Sequence, residues 1–183
     1  MLNGPLAELN VDSNKTTPNL YPQHLQSKID KINDWIYHDI NNGVYKSGFA
    51  RTQDAYVEAV TTLFNAIDRV ESILSTSRYL ISSVDITEAD LRLFMTLIRF
   101  DEVYIVYFKC NLRSLSSYPN ITNYMRELYQ LKWIQDSIHM DHIKNHYFTS
   151  HATLNCYSVV PIGPGVIDNM LLPHDRNRDD LNL

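Results

Sequence analysis

An all-α fold, an antiparallel helix bundle with an irregular C-terminal extension, is what this sequence predicts. Three observations carry that expectation. Apolar residues recur every three to four positions over long stretches, which is the helical period. No convincing run alternates apolar and polar residues as a half-buried strand would. Only five glycines occur in 183 residues, too few for a turn-rich all-β chain. The length suits one domain whose core needs neither disulfide nor metal to hold it.

Residues 1–19 are rich in Asn, Ser, Thr and Pro and read as a linker or arm. The helical period starts within 20–165, the expected domain. Leu25, Ile29, Ile32, Ile36 and Ile40 share one helix face. Pro22 suits the first turn, and Asn41-Asn42-Gly43 offers a left-handed stop. The second helix has the clearest pattern. Tyr56, Val60, Leu63, Ile67, Val70 and Leu74 repeat at alternating spacings of four and three, with Thr52 as N-cap. The third opens at Ile86-Thr87-Glu88-Ala89-Asp90-Leu91. There Thr87 and Asp90 form a capping box, and Ile86 and Leu91 a hydrophobic staple. It carries Leu91, Phe94, Met95, Ile98 and Ile105 and is expected to reach about Cys110. Further helices are expected at about 120–137, after Tyr118-Pro119-Asn120, and at about 141–148. No period is seen after Thr149. Pro161, Gly163, Pro164 and Gly165 mark irregular chain, and 166–183 reads as a polar tail, frayed from about 173.

Composition removes several function classes. Lys and Arg number 16 against 21 Asp and Glu, a net charge of −5. With no basic tract, a nucleic-acid partner is not expected. No apolar run approaches a membrane span, and the N-terminus lacks the basic and apolar regions of a signal peptide. The expected location is cytoplasmic, away from membranes. Two cysteines, Cys110 and Cys156, form no C-x-x-C and fit a reducing compartment, where both are expected to be buried and inert.

The candidate chemistry is thin when read residue by residue. His139, His142, His146 and His151 cluster, and His142 and His146 are spaced as on one helix face. No His-Glu-x-x-His occurs and no third ligand is defined, so no metal site is assigned. Nucleotide-binding glycine loops and G-x-S-x-G are absent from the sequence. Twelve tyrosines remain, and tyrosine serves cavity walls as well as cores.

The segment Asn41-Asn42-Gly43-Val44-Tyr45-Lys46-Ser47-Gly48-Phe49-Ala50, with Thr52-Gln53 and Tyr56 after it, resembles the glutathionyl-hydroquinone reductases. These are the xi-class, or omega-like, glutathione transferases. The resemblance continues through Thr87–Phe94, Arg99–Tyr104 and Phe108–Asn111, then Tyr118–Asn120, Asp141–Tyr147 and Pro161–Pro164. It covers about residues 20–165 and implies the glutathione transferase C-terminal helical fold. Family members join such a domain to a thioredoxin-like one and reduce glutathionyl-hydroquinones, with glutathione as co-substrate. The resemblance implies that Tyr45, Tyr104 and Tyr147 are catalytic, with Tyr107 and His146 in the substrate site. It implies a quinol or similar aromatic small molecule as ligand, and no cofactor held by these residues.

The departures are also informative. The family's nucleophile is a cysteine in a Cys-Pro motif, and these 183 residues contain none. Tyr107 stands where the family more often has His, and Cys156 where it usually has Pro. The loop Ser82-Ser83-Val84-Asp85 lacks a glycine common there. The expectation is a truncated, helical half, inactive without a thioredoxin-like partner domain and prone to self-associate through the flank such a domain covers. A non-catalytic binding or assembly module is the alternative.

Overall fold

The computed structural model describes residues 18–176, which contain helices, turns and loops and no strand. A 3₁₀ turn at Gln23–Leu25 leads into α1, Gln26–Trp35. The chain widens to a π-helix over Ile36–Asn41 and continues as α2, Gly43–Gly48. The helix was expected to stop at Gly43, and it does not. The Asn42 N–H reaches back five residues to the Tyr37 carbonyl at 2.9 Å, so the chain stays helical through the junction. Gly43 serves close packing instead. A Cβ there would lie 3.4 Å from Leu63 Cδ1.

The second period becomes α3, Gln53–Leu74, whose N-cap Thr52 accepts the Ala55 N–H at 3.2 Å. Val60, Leu63, Phe64, Ile67, Val70 and Leu74 face the core. Helix α4, Glu88–Arg99, has the expected capping box. It passes into a second π-helical stretch, Phe100–Tyr104, and a short α5, Ile105–Tyr107. The extra residue per turn rotates the remainder of the helix. Tyr104 turns inward and Ile105 becomes half-buried; Met95, expected in the core, lies before this stretch, in α4, and is exposed. Lys109, at φ 58°, ends the run.

The stretch expected at 120–137 is two helices, α6 (Pro119–Tyr129) and α7 (Lys132–Gln135), parted where Leu131 becomes extended. Pro119 sits in the first turn of α6. The Glu71 carboxylate, on α3, accepts the free N–H groups of Asn120 and Ile121 at 2.9 and 2.8 Å, closing that helix start with a negative charge. Helix α8 is Met140–Ser150. Irregular chain then leads to a short α9, Val166–Met170.

The end of the described chain departs from the expected frayed tail. Arg126 and Gln130, on α6, donate to the carbonyls of Asn169 and Met170 at 3.1 and 3.0 Å. Arg176 is buried, and its guanidinium donates to the Leu74 and Arg78 carbonyls at 2.9 and 2.7 Å. A cation beside the last carbonyls of α3 is favoured by both hydrogen bonding and the helix dipole. Apart from Pro18 and Asn19, the arm expected at 1–19 lies outside the described residues, as do 177–183. Among the described residues no helix is long and apolar enough to cross a membrane.

Candidate functional site

Three segments far apart in sequence bring their tyrosines together. Tyr45 lies on α2, Tyr104 ends the second π-helical stretch, and Tyr147 lies near the end of α8. The Tyr147 hydroxyl is 2.6 Å from that of Tyr45 and 2.9 Å from that of Tyr104. Tyr104 is anchored through its backbone as well, since its carbonyl accepts the N–H groups of Phe108 and Cys110 at 3.1 and 3.0 Å. Tyr104 and Tyr147 are buried, whereas Tyr45 is 38% exposed and is the member of the trio that reaches the surface.

The hydroxyl count gives the trio a chemical capacity. Each hydroxyl has one proton and two acceptor lone pairs. Two mutual bonds use two of three protons, so one remains to be donated to a third party. Burial keeps the protons of Tyr104 and Tyr147 in place. It pushes Tyr104 up from its ordinary value near 10. It also pushes Tyr147 up, to about 12, with the Tyr104 hydrogen bond acting against the shift and that of Tyr45 with it. Unfolding returns Tyr147 to a value near 10, so above that pH the unfolded chain binds fewer protons than the folded one. Stability contributed by this group therefore falls as pH rises from 10 towards 12. Urea midpoints across that range should fall more steeply for the wild-type chain than for Tyr147→Phe. Parallel slopes would mean Tyr147 is not held protonated.

An aromatic cluster surrounds the trio, with Phe108 at its centre. Phe108 stacks parallel to Tyr104, 7° apart at 5.5 Å, and lies 5.2 Å from Tyr45, 5.4 Å from Phe49 and 5.3 Å from Tyr107. Tyr107 packs edge-on against Phe148 at 4.8 Å and lies 5.9 Å from the His151 ring. Its buried hydroxyl and the buried Nδ1 of His151 have no hydrogen-bond partner. Tyr107 thus adjoins the trio without joining its hydrogen bonds. His146 is exposed, with its Nδ1 3.4 Å from the Ser150 hydroxyl and its ring 5.5 Å from that of Tyr147. Sequence reasoning did not single out Phe49, Phe108 or His151 as site residues. For Phe49 and Phe108 the available signal was their place inside the motifs that carry Tyr45 and Tyr104. His151 had none beyond its place in the histidine cluster. Phe49 also lines an open cavity of about 520 Å³ with His38, Asp39, Lys46 and Glu58.

The thiols differ from each other. Cys110 is buried, which pushes its thiol up to about 12. Cys156, expected to be buried, is exposed because it lies in the irregular chain after α8. Among the described residues, no group of three or more His, Cys, Asp or Glu could hold a metal ion.

The family model "Glutathione S-transferase, C-terminal domain" matches residues 52–127. The chain is 47% identical over 157 residues to the glutathionyl-hydroquinone reductase YqjG of Escherichia coli K12, covering 86% of this chain and 47% of that protein. It is 40% identical over 171 residues to the glutathione S-transferase omega-like 2 of Schizosaccharomyces pombe, covering 90% and 53%. The glutathione-bound structure of the Escherichia coli protein superposes with a TM-score of 0.88 at 44% identity, over 97% of this chain and 55% of that one. The chain thus spans about half the length of the curated relatives it matches. By fold it is a helical domain of the glutathione transferase C-terminal type, and its homologues are glutathionyl-hydroquinone reductases and omega-like glutathione transferases.

Proposed function

We propose that this chain forms the aromatic-substrate half of a glutathionyl-hydroquinone reductase site. The observation that carries the reading is the meeting of three tyrosine hydroxyls from three separate segments at 2.6 and 2.9 Å. Core tyrosines ordinarily satisfy their hydroxyls with local partners. A trio with one proton to spare and an open side at Tyr45 suits an oxygen-bearing aromatic ring. Phe49, Phe108 and Tyr107 supply apolar surface beside it.

In this reaction a thiolate attacks the glutathionyl sulfur, and a sulfur–sulfur bond forms as the bond from sulfur to the ring carbon breaks. The ring carbon then takes a proton and leaves as the hydroquinone. A second glutathione thiolate resolves the mixed disulfide to glutathione disulfide. The trio's part is to hold the quinol oxygen and to supply or relay the proton, which Tyr104 and Tyr147, kept protonated by burial, can do. Neither thiol of this chain suits the first step. Cys110 is buried and held as the thiol, and Cys156 is exposed in the irregular chain after α8, not in a Cys-Pro motif. The 183 residues therefore act with a thioredoxin-like domain that brings a Cys-Pro thiol, and they are inactive alone.

Glutathionyl-menadiol and glutathione are the substrates for the test. The chain alone should give the uncatalysed rate, and the chain joined to a Cys-Pro-bearing thioredoxin-like domain should turn over. In the joined protein Tyr147→Phe should lower kcat about 100-fold, the scale for losing one donor aimed at developing charge. Turnover by the chain alone would overturn its inactivity. An unchanged kcat in Tyr147→Phe would remove the trio from the mechanism.

A further inference from the structure

Glu102 and Lys144 form an ion pair in the interior, with side chains 2% and 11% exposed and Nζ 3.0 Å from Oε2. Each group makes one further hydrogen bond. Glu102 Oε1 accepts the Val166 N–H at 2.6 Å, and Lys144 Nζ also donates to the Ile162 carbonyl at 2.9 Å. A buried ion pair is weak evidence for stability, because an apolar pair of similar volume often does as well. What it supplies, and an apolar pair does not, is a fixed distance and direction between two elements.

The two elements are those that deliver the tyrosines. Glu102 precedes Tyr104 by two residues in the π-helical stretch, and Lys144 precedes Tyr147 by three, about one turn, on α8. The ion pair and the Tyr104–Tyr147 hydrogen bond are therefore neighbouring rungs across one junction. Helix α8 is otherwise seated by apolar contacts: Tyr147 and Phe148 are buried, and Met140 and Ile143 pack half-buried against the core. Such contacts are non-directional, whereas the ion pair is directed. A π-helical stretch is itself a local irregularity with non-standard register, and one hydroxyl–hydroxyl bond is a modest restraint.

We propose that Glu102 and Lys144 are positioning residues for the tyrosine trio, setting the rotation of α8 so that the Tyr147 hydroxyl falls between those of Tyr45 and Tyr104. The geometric claim stands on the contacts above, and its catalytic consequence rests on the proposed function. Because the same two side chains hold Ile162 and Val166, the irregular chain before α9 is tied to the site through them.

The test is ¹⁹F NMR of the chain labelled with 3-fluorotyrosine. The resonances of Tyr45, Tyr104, Tyr147 and Tyr79 are assigned by single Tyr→Phe variants. Tyr79 is the reference, since its hydroxyl donates to Glu127, away from the trio. Lys144→Met and Glu102→Gln should lower Tm and shift or split the Tyr104 and Tyr147 resonances while Tyr79 stays in place. The double variant Glu102→Gln/Lys144→Met removes the lone buried charge and should recover Tm but not the trio's resonances. Lys144→Arg, which keeps the charge, should restore them in part. Menadiol binding should weaken about threefold to tenfold in Lys144→Met, as loss of one well-placed hydrogen bond implies.

If the resonances of Tyr104 and Tyr147 stay unmoved in a variant of lowered Tm, the pair is merely structural. Full recovery of those resonances in the double variant has the same meaning. Should a single variant fail to fold, the double variant and Lys144→Arg carry the test. A moved trio whose Tyr147→Phe variant binds menadiol normally would retain the positioning role and overturn the proposed function.

Discussion

Asp90→Ala should remove a large part of the stability of this domain. Asp90 is fully buried, and its carboxylate accepts four hydrogen bonds. They come from the Leu80 N–H at 2.9 Å, the Thr87 N–H and hydroxyl at 2.8 Å each, and the Tyr124 hydroxyl at 3.0 Å. One side chain thus ties the start of α4 to the loop after α3 and to α6. Alanine leaves three donors without a partner in a dry interior and the Tyr124 hydroxyl with only the Asp90 carbonyl at 3.3 Å. Each orphan costs about 1–3 kcal/mol, so a loss of about 4 kcal/mol or more is expected, against a typical total of 5–15 kcal/mol. For a chain of this size that lowers Tm by about 10 °C or more. Asp90→Asn should fall between, because its amide oxygen can serve the Leu80 and Tyr124 donors while its NH₂ faces the Thr87 pair. Urea unfolding of the three chains orders them. A loss under about 1 kcal/mol in Asp90→Ala would mean that water replaces the carboxylate and that its four hydrogen bonds do not hold the helices together.

That box was legible in the sequence because both partners lie within four residues and the geometry is local. The same holds for α3, whose apolar stripe and Thr52 cap are short-range patterns. The trio was legible only through long motifs shared with a family. Spacing alone gives Tyr45, Tyr104 and Tyr147 no reason to meet, and what joins them is the packing of α2, α4–α5 and α8. The two π-helical stretches left no trace. One extra residue in the hydrogen-bond pattern needs no Gly or Pro, yet it rotates the helix enough to turn Tyr104 inward and leave Ile105 half-buried. Gly43 misled because a glycine after two asparagines has the composition of a helix stop. Its actual use, close approach to Leu63, depends on a partner twenty residues away. Arg176 misled for a similar reason. It reads as polar tail until the end of α3 presents carbonyls to it.

Gly48→Ala should damage stability and site together. An added Cβ would lie 2.2 Å from Phe108 Cδ1, 2.3 Å from Cγ and 2.7 Å from Cβ, distances no packed carbon tolerates. Phe108 cannot swing away, being fully buried with Tyr104 stacked on one side and Tyr45, Phe49 and Tyr107 around it. Either α2 lifts off, carrying Tyr45, or Phe108 shifts, carrying Tyr104. Overpacking of this kind costs about 1–3 kcal/mol or more, and the helix propensity of alanine returns only about 1 kcal/mol. Because backbone and a ring core are both involved, the upper end is expected, about 3 kcal/mol. Near-ultraviolet circular dichroism should lose the signal of the packed tyrosines, and menadiol binding should fall with it. Gly48→Ala/Phe108→Leu should restore neither stability nor binding, since leucine keeps the Cβ and Cγ that lie 2.7 and 2.3 Å from the added carbon and loses the ring that orients Tyr104. If Gly48→Ala alone kept wild-type stability and an unchanged near-ultraviolet spectrum, α2 would have slack here. The tyrosine trio would then be held by α8 and the second π-helical stretch without help from the α2–Phe108 contact.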